Sequence, residues 1–280
     1  MKATAYTIQA ALILLWWVGL HLSVDFFAAF QFAGIDPPAF RAFFLPDVII
    51  IAGSSLLRAY RRSSALEYVI LGGFAYAFLY CLNATVLTAS GYLPTTIMGL
   101  GLAYNGFLIF GRLSFRTSTT DSLALNLTKT LVQTACVWLI TLGVFPYFIL
   151  LAYRGEVVPT FGPRFWAALG MFVSCALLGL CSAWQMVRKG RGTPLPLDQT
   201  QELVTSGPYA YVRNPMAIAG IGQGIAISWW MASWPLLAYA LLGALLWQFV
   251  VRPLEEENLA ERFGAAYEGY RERVRCWIPF

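Results

Sequence analysis

Apolar residues run along most of this chain in long blocks separated by short polar links. A helix needs about 20 predominantly apolar residues to cross the hydrocarbon core of a bilayer. Eight stretches answer to that condition: roughly 6–30, 42–60, 66–89, 94–112, 129–152, 165–187, 214–232 and 235–252. Inside lipid a helix satisfies its own backbone polar groups, so a helix is the element expected of each. The predicted fold class is all-α: a polytopic membrane helical bundle of about eight transmembrane helices, followed by a C-terminal amphipathic helix. In that last element Leu259, Phe263, Ala266, Tyr267 and Tyr270 recur at helical spacing. Glu256, Arg262, Glu268, Arg271 and Glu272 occupy much of the remaining surface. Gly264 is placed to bend or break the helix, and Trp277 and Phe280 suit an interfacial anchor.

Two polar connections interrupt this pattern. Residues 113–128 separate four spans from the four that follow, and no repeat relates the halves. Residues 188–213 hold Gly190, Gly192, Pro194, Pro196 and Gly207-Pro208, too many breakers for a continuous helix. Connections of that length are often functional. This one leads straight into Arg213-Asn214-Pro215.

Composition agrees with a bilayer protein. Of 280 residues 59% are hydrophobic and 12% charged, where soluble domains carry about 25% charged residues. In an eight-span arrangement all but three of the 19 Lys and Arg residues fall on one side; the exceptions are Arg41, Arg154 and Arg164. Basic residues gather on the cytoplasmic side, so both termini are expected in the cytoplasm. The net charge of +5 is then a topology signal. No soluble basic stripe interleaved with aromatics points to nucleic acid. The first apolar run is too long, and too polar after Leu22, for a signal peptide, and is expected to be retained. Of the five cysteines no pair has zinc-ligand spacing, and no metal is expected. His21 and Asp25 lie four apart, which on one helix makes them neighbours and a mutually satisfied polar pair.

Candidate chemistry is confined to the last third. Gly207 allows a backbone conformation closed to other residues, and Pro208 fixes the next step. Pro215 suits the first turn of the helix it opens. The backbone N–H groups after Asn214 therefore stand at a helix start, which favours an anionic group, and Arg213 can pair with the same anion. Farther on, Arg252, Glu255 and Glu256 follow an apolar span, with Pro253 among them. Ionisable groups at a membrane boundary of this kind are functional candidates. Glu257 fits an ordinary solvated helix position.

Taken together, Ser206-Gly-Pro-Tyr-Ala-Tyr-Val-Arg-Asn-Pro215, two apolar segments, Glu255-Glu256, Phe263-Gly264, Tyr267, Tyr270 and Trp277-Ile-Pro279 resemble the isoprenylcysteine carboxyl methyltransferase-like family. That family of integral-membrane enzymes also takes in phospholipid methyltransferase-like proteins. The resemblance covers roughly 165–280. It implies an S-adenosylmethionine-dependent methyltransferase whose cofactor enters from the cytoplasm and is bound by Gly207, Pro208, Tyr209, Val212, Arg213, Asn214, Pro215 and Gly220. It implies catalytic roles for Arg252, Glu255 and Glu256. It also implies a lipophilic or small acceptor, bearing a carboxylate, amine or thiol, that arrives from the membrane lipid. Three positions depart from the family pattern: Asn214 where many members have His, Ala217 where Tyr is common, and Cys276 where Arg is frequent. On this reading residues 126–280 are the methyltransferase domain, and residues 1–125 are a four-span region of unknown role. The competing readings are an NADPH-dependent membrane reductase of related architecture, for which no dinucleotide fingerprint is present, and a non-catalytic membrane transporter or binding protein.

Overall fold

The computed structural model describes residues 2–195 and 198–279, and of residues 112–114 the backbone alone. Pro196 and Phe280 lie outside the described residues. Ten helices make up the rest: α1 (Lys2–Leu22), α2 (Val24–Ala29), α3 (Pro37–Tyr60), α4 (Ser64–Thr88), α5 (Tyr92–Ser114), α6 (Leu123–Arg154), α7 (Pro163–Arg188), α8 (Pro215–Trp230), α9 (Trp234–Phe263) and α10 (Ala265–Arg273). No named strand is found among the described residues. Among the described residues seven helices are long and apolar enough to cross a membrane, and the chain is a multi-pass integral membrane protein. The run expected at 214–232 folds as the shorter α8, of 16 residues. At 1.5 Å per residue that is about 24 Å, less than a hydrocarbon core of about 30 Å.

Prolines left a trace in the long helices without ending them. Wide, π-type turns at Leu139–Val144 and Trp247–Val251 precede Pro146 and Pro253 by two residues. A proline inside a helix removes a donor and crowds the carbonyl four residues back. A widened turn absorbs that conflict, so α6 and α9 run on through it. The first apolar run does not behave this way. It stops at Leu22, and Ser23 caps α2 by accepting a hydrogen bond from the Phe26 N–H. The expected His21–Asp25 pair is therefore not made. The chain breaks between them, and His21 Nδ1 lies 2.8 Å from the Trp17 carbonyl instead.

The chain falls into two compact units. The first comprises Met1–Arg112 and Tyr147–Val157. Its interior is a polar seam between α1, α3, α4 and α5. Gln9 donates to Ser55 Oγ at 2.8 Å, and Asn105 donates to Gln9 Oε1 at 2.8 Å. Glu67 on α4 receives Lys2 at 2.8 Å and also Arg58.

The second unit comprises Leu113–Pro146 and Val158–Phe280. Here α6 is patterned inside out. Leu131, Val132, Val137 and Leu139 are exposed, while Asn126 and Thr130 are buried. Apolar side chains facing lipid cost nothing, so the buried face is free to be polar. α7, α8 and α9 pack through small residues. A Cβ on Gly222 would meet Cys175 Sγ at 2.5 Å, and one on Gly224 would meet the Ala240 Cβ at 3.1 Å. Gly179 faces Ala219 in the same way. This register sets the start of α8 level with the Ser182–Ala183 turn of α7, about 9 Å short of the end of α7 at Arg188. The helix that opens at Pro215 is thus recessed below the end of its neighbour.

Candidate functional site

The recess is roofed by the connection between α7 and α8 and by the C-terminal segment. Residues Gly207–Ala210 form a short 3-10 turn that carries Tyr209 inward. Gly207 has φ +64°, and a Cβ there would lie 2.8 Å from Gln185 Cγ. Both conformation and space require glycine at this point. Gln185 also accepts from Ser206 Oγ at 3.2 Å. Tyr270 on α10 donates to the Tyr209 carbonyl at 2.7 Å, and the Arg213 N–H donates to the Arg275 carbonyl at 2.9 Å. Asn214 Nδ2 reaches Cys276 Sγ at 3.3 Å. Trp277 Nε1 donates to Gln248 Oε1 at 2.7 Å and packs edge-on against Trp247. The tail is thereby fastened across the turn.

Farther up, the long connection is clipped to α6 and α9. Lys129 pairs with Asp198 at 2.9 Å. Gln199 donates to Asn258 Oδ1 at 3.0 Å and accepts from Arg262 at 3.1 Å. Arg262 also donates to the Thr200 carbonyl. The breakers that forbid a helix here leave the backbone free to follow these side-chain anchors.

At the centre lies a charge cluster. Glu256 Oε1 accepts from Arg252 Nε at 2.9 Å and pairs with Arg213 Nη2 at 3.2 Å. One acidic oxygen therefore joins the turn before α8 to the upper part of α9. The Arg213 side chain is only 9% exposed. Its Nε and Nη1 are buried with no hydrogen-bond partner, and so is the Tyr209 hydroxyl. A buried donor left unmade costs about 1–3 kcal/mol, more when it is charged. The first turn of α8 has no side-chain cap either. Glu256 and the Tyr267 hydroxyl engage part of the Arg213 guanidinium, while its Nε and Nη1 and the Tyr209 hydroxyl stay without a protein partner near an uncapped helix start. Electrostatics tell the same story from the phenols. Burial pushes the Tyr209 hydroxyl well above the ordinary tyrosine range, with Glu255 and Tyr270 adding to it. Tyr267 is raised to about 12, first by burial and then by Glu256, while Arg213 pulls the other way. Both phenols stay protonated at neutral pH, as donors.

Residues 163–266 match the family model of phospholipid methyltransferase. The match spans 104 of the 280 residues, and the segment is similar to that family. The protein is a membrane methyltransferase, and S-adenosylmethionine is the cofactor of such enzymes. Among solved structures the chain is similar to the eukaryotic intramembrane Ras methyltransferase, isoprenylcysteine carboxyl methyltransferase, at 17% identity. That likeness covers 99% of this chain and 97% of the other, with a TM-score of 0.34. No curated protein matches the chain.

Within and beside the methyltransferase domain, the structure gathers Gly207, Pro208, Tyr209, Val212, Arg213, Asn214 and Pro215 in one turn, with Arg252, Glu255 and Glu256 over it. Gly220 stands apart. It is exposed on α8, with open space where a side chain would point. Sequence reasoning passed over Gln185, Gln199 and Asn258, the side chains that hold the turn and its connection in place. Each is a lone amide on a helix or loop, and no local spacing distinguishes it. Gln223 was missed as well. It is fully buried in the middle of α8, and both of its amide atoms lack a partner.

Proposed function

We propose that the recess at the start of α8 is the S-adenosylmethionine site, and that the enzyme methylates a lipophilic or small acceptor arriving from the membrane. The reading is carried by one observation: the two unpartnered guanidinium nitrogens of Arg213, buried beside an uncapped helix start. This donor set fits a carboxylate such as the cofactor bears. Arg213 would hold that carboxylate in a charge-assisted hydrogen bond, together with the first N–H groups of α8. Tyr209 and Asn214 would line the same pocket, and Gly207 keeps the turn tight enough to form it. The bound cofactor supplies an electrophilic methyl group.

The chain's task is then alignment of acceptor and donor and exclusion of water. With a carboxylate acceptor no base is required, and Arg252 orients it. With an amine or thiol a carboxylate must take the proton. Glu256 is committed to two guanidinium groups, so Glu255, beside Tyr209, is the better placed of the two. In this reading residues 126–280 carry the reaction, and α8, though short, makes the eighth crossing, so that the basic residues face the cytoplasm with both termini and the site.

Calorimetry with S-adenosylhomocysteine tests the proposal, using the protein in maltoside detergent and in nanodiscs. Binding by the wild type, weakened by Arg213→Ala, is the expected result. No binding by the wild type in either medium refutes it. Reporter fusions after residues 62, 120 and 200 test the orientation, and a non-cytoplasmic signal at 200 removes the site from the compartment of its cofactor.

A further inference from the structure

The first unit contains a cavity that the methyltransferase reading does not use. Its walls include the rings of Trp16, Trp17, Phe40, Phe43 and Tyr80, and among them lies one carboxylate, Asp47. The cavity leaves about 40 Å³ for the centre of a water-sized sphere. A sphere of that volume, enlarged by the water radius of about 1.4 Å, has a radius of about 3.5 Å. This is the size of a small organic cation with its methyl groups, and larger than a single water.

The carboxylate is the anomaly. Asp47 opens the wide helical turn Pro46–Gly53 of α3 and is 9% exposed. Its carboxylate accepts from Trp17 Nε1 at 3.1 Å, a single neutral donor. No salt bridge to Asp47 is found among the described residues. A carboxylate in apolar surroundings is ionised where a counter-charge reaches it and otherwise takes up a proton, so a cation in this cavity would find in Asp47 a partner that no basic side chain occupies. Within a membrane span such a group is by default a functional one. The aromatic wall supplies the rest of the recognition. Trp16 and Trp17 meet edge to face at 5.1 Å, and Phe43 lies against Tyr80 at 4.6 Å. Ring faces attract cations, most of all methylated ammonium groups that have little hydration to lose. Wide helical turns also recur at functional sites.

We propose that this cavity is a binding site for a small organic ammonium group, with Asp47 as its counter-ion and Trp16, Trp17, Phe40, Phe43 and Tyr80 as its aromatic enclosure. Trp17 holds one oxygen of Asp47 in place. Neutral apolar molecules of the same shape gain the wall contacts but leave the carboxylate without a counter-charge, and bind less well. The site belongs to the first unit alone and stands whether or not the methyltransferase site has been read correctly.

Equilibrium dialysis of the full chain in maltoside tests it, with radiolabelled tetramethylammonium as probe and 3,3-dimethylbutan-1-ol as neutral competitor. Saturable binding is expected. Asp47→Asn should weaken it at least tenfold and Tyr80→Leu several-fold, and the neutral alcohol should not compete at equal concentration. Absence of saturable binding overturns the proposal. So does undiminished binding by a folded Asp47→Asn, or equal competition by the alcohol. Should Asp47→Asn fail to fold, Tyr80→Leu and the competition decide. Tyr80 lies partly exposed and its leucine variant keeps the wall apolar, so an unchanged affinity there counts against the site.

Discussion

Each unit of this protein buries a cluster of basic and acidic side chains, and the two clusters are finished differently. In the first unit Glu67 receives Lys2 and Arg58, and both of its oxygens have partners. The Arg58 guanidinium also lies 5.5 Å over the ring of Tyr6. In the second unit Glu256 receives Arg252 and Arg213, yet two nitrogens of Arg213 remain buried and unmatched. Composition does not separate the clusters; completeness does. A closed cluster has the buried hydrogen-bonding groups of its charged side chains matched within the protein, and its contribution is to stability and register. A cluster with donors left over has an unsatisfied requirement that a ligand can meet. The recess at the start of the short α8 gives that ligand a place.

The comparison can be broken most sharply at Arg58. Arg58→Ala removes one partner from a buried ion pair and should destabilise the folded protein by about 3 kcal/mol. Thermal unfolding in detergent measures the loss. S-adenosylhomocysteine affinity of the folded fraction should stay within twofold of wild type. A fall in affinity comparable to that of a site variant would mean that the closed cluster also serves the ligand.

Arg213→Ala should reverse the pattern. Charge-assisted hydrogen bonds contribute about 1.5–3 kcal/mol, so affinity for S-adenosylhomocysteine should fall roughly tenfold to a hundredfold. The melting temperature should change little, because the substitution also removes unmatched donors. A large loss of stability with unchanged affinity would make the second cluster structural like the first. Gly207→Leu acts on the same affinity by another route. It forces a left-handed backbone and drives a side chain into Gln185, and about a tenfold loss is expected.

The acidic pair sharpens the picture at the level of turnover. With an amine or thiol acceptor, Glu255→Gln should lower turnover about a hundredfold, the usual scale of general-base catalysis, and spare cofactor affinity. Glu256→Gln loosens Arg213 and should weaken cofactor affinity instead. Equal effects of the two on both quantities would deny them separate roles. The smallest effect is expected at Glu257, exposed on the outer side of α9. Glu257→Gln should leave turnover and affinity within twofold of wild type, and any larger change would show that the cluster extends around the helix.

Much of this was legible in the chain itself. Bilayer thickness fixes how long an apolar run must be, so the all-helical class follows from the runs, and α4, α5 and α7 lie close to where the runs place them. The backbone demands of Gly207, Pro208 and Pro215 are local, so the turn before α8 could be read from the residues that make it. Gly264 was equally readable: its φ of +49° separates α9 from α10. The sequence also put Arg213 and the Arg252–Glu256 group in one candidate site through their order around a hairpin. What it could not contain was their state of satisfaction. Whether a guanidinium nitrogen has a partner depends on side chains brought from far along the chain, such as Tyr267, Gln185 and Cys276, and on the register at Gly222 and Gly224 that recesses α8. The same holds for Asp47, which is a single acid in an apolar run until folding surrounds it with rings from α1, α3 and α4. Periodicity and turn chemistry act over a few residues and are written locally. Pairing, burial and cavities are properties of distant residues that meet, and only the tertiary structure decides them.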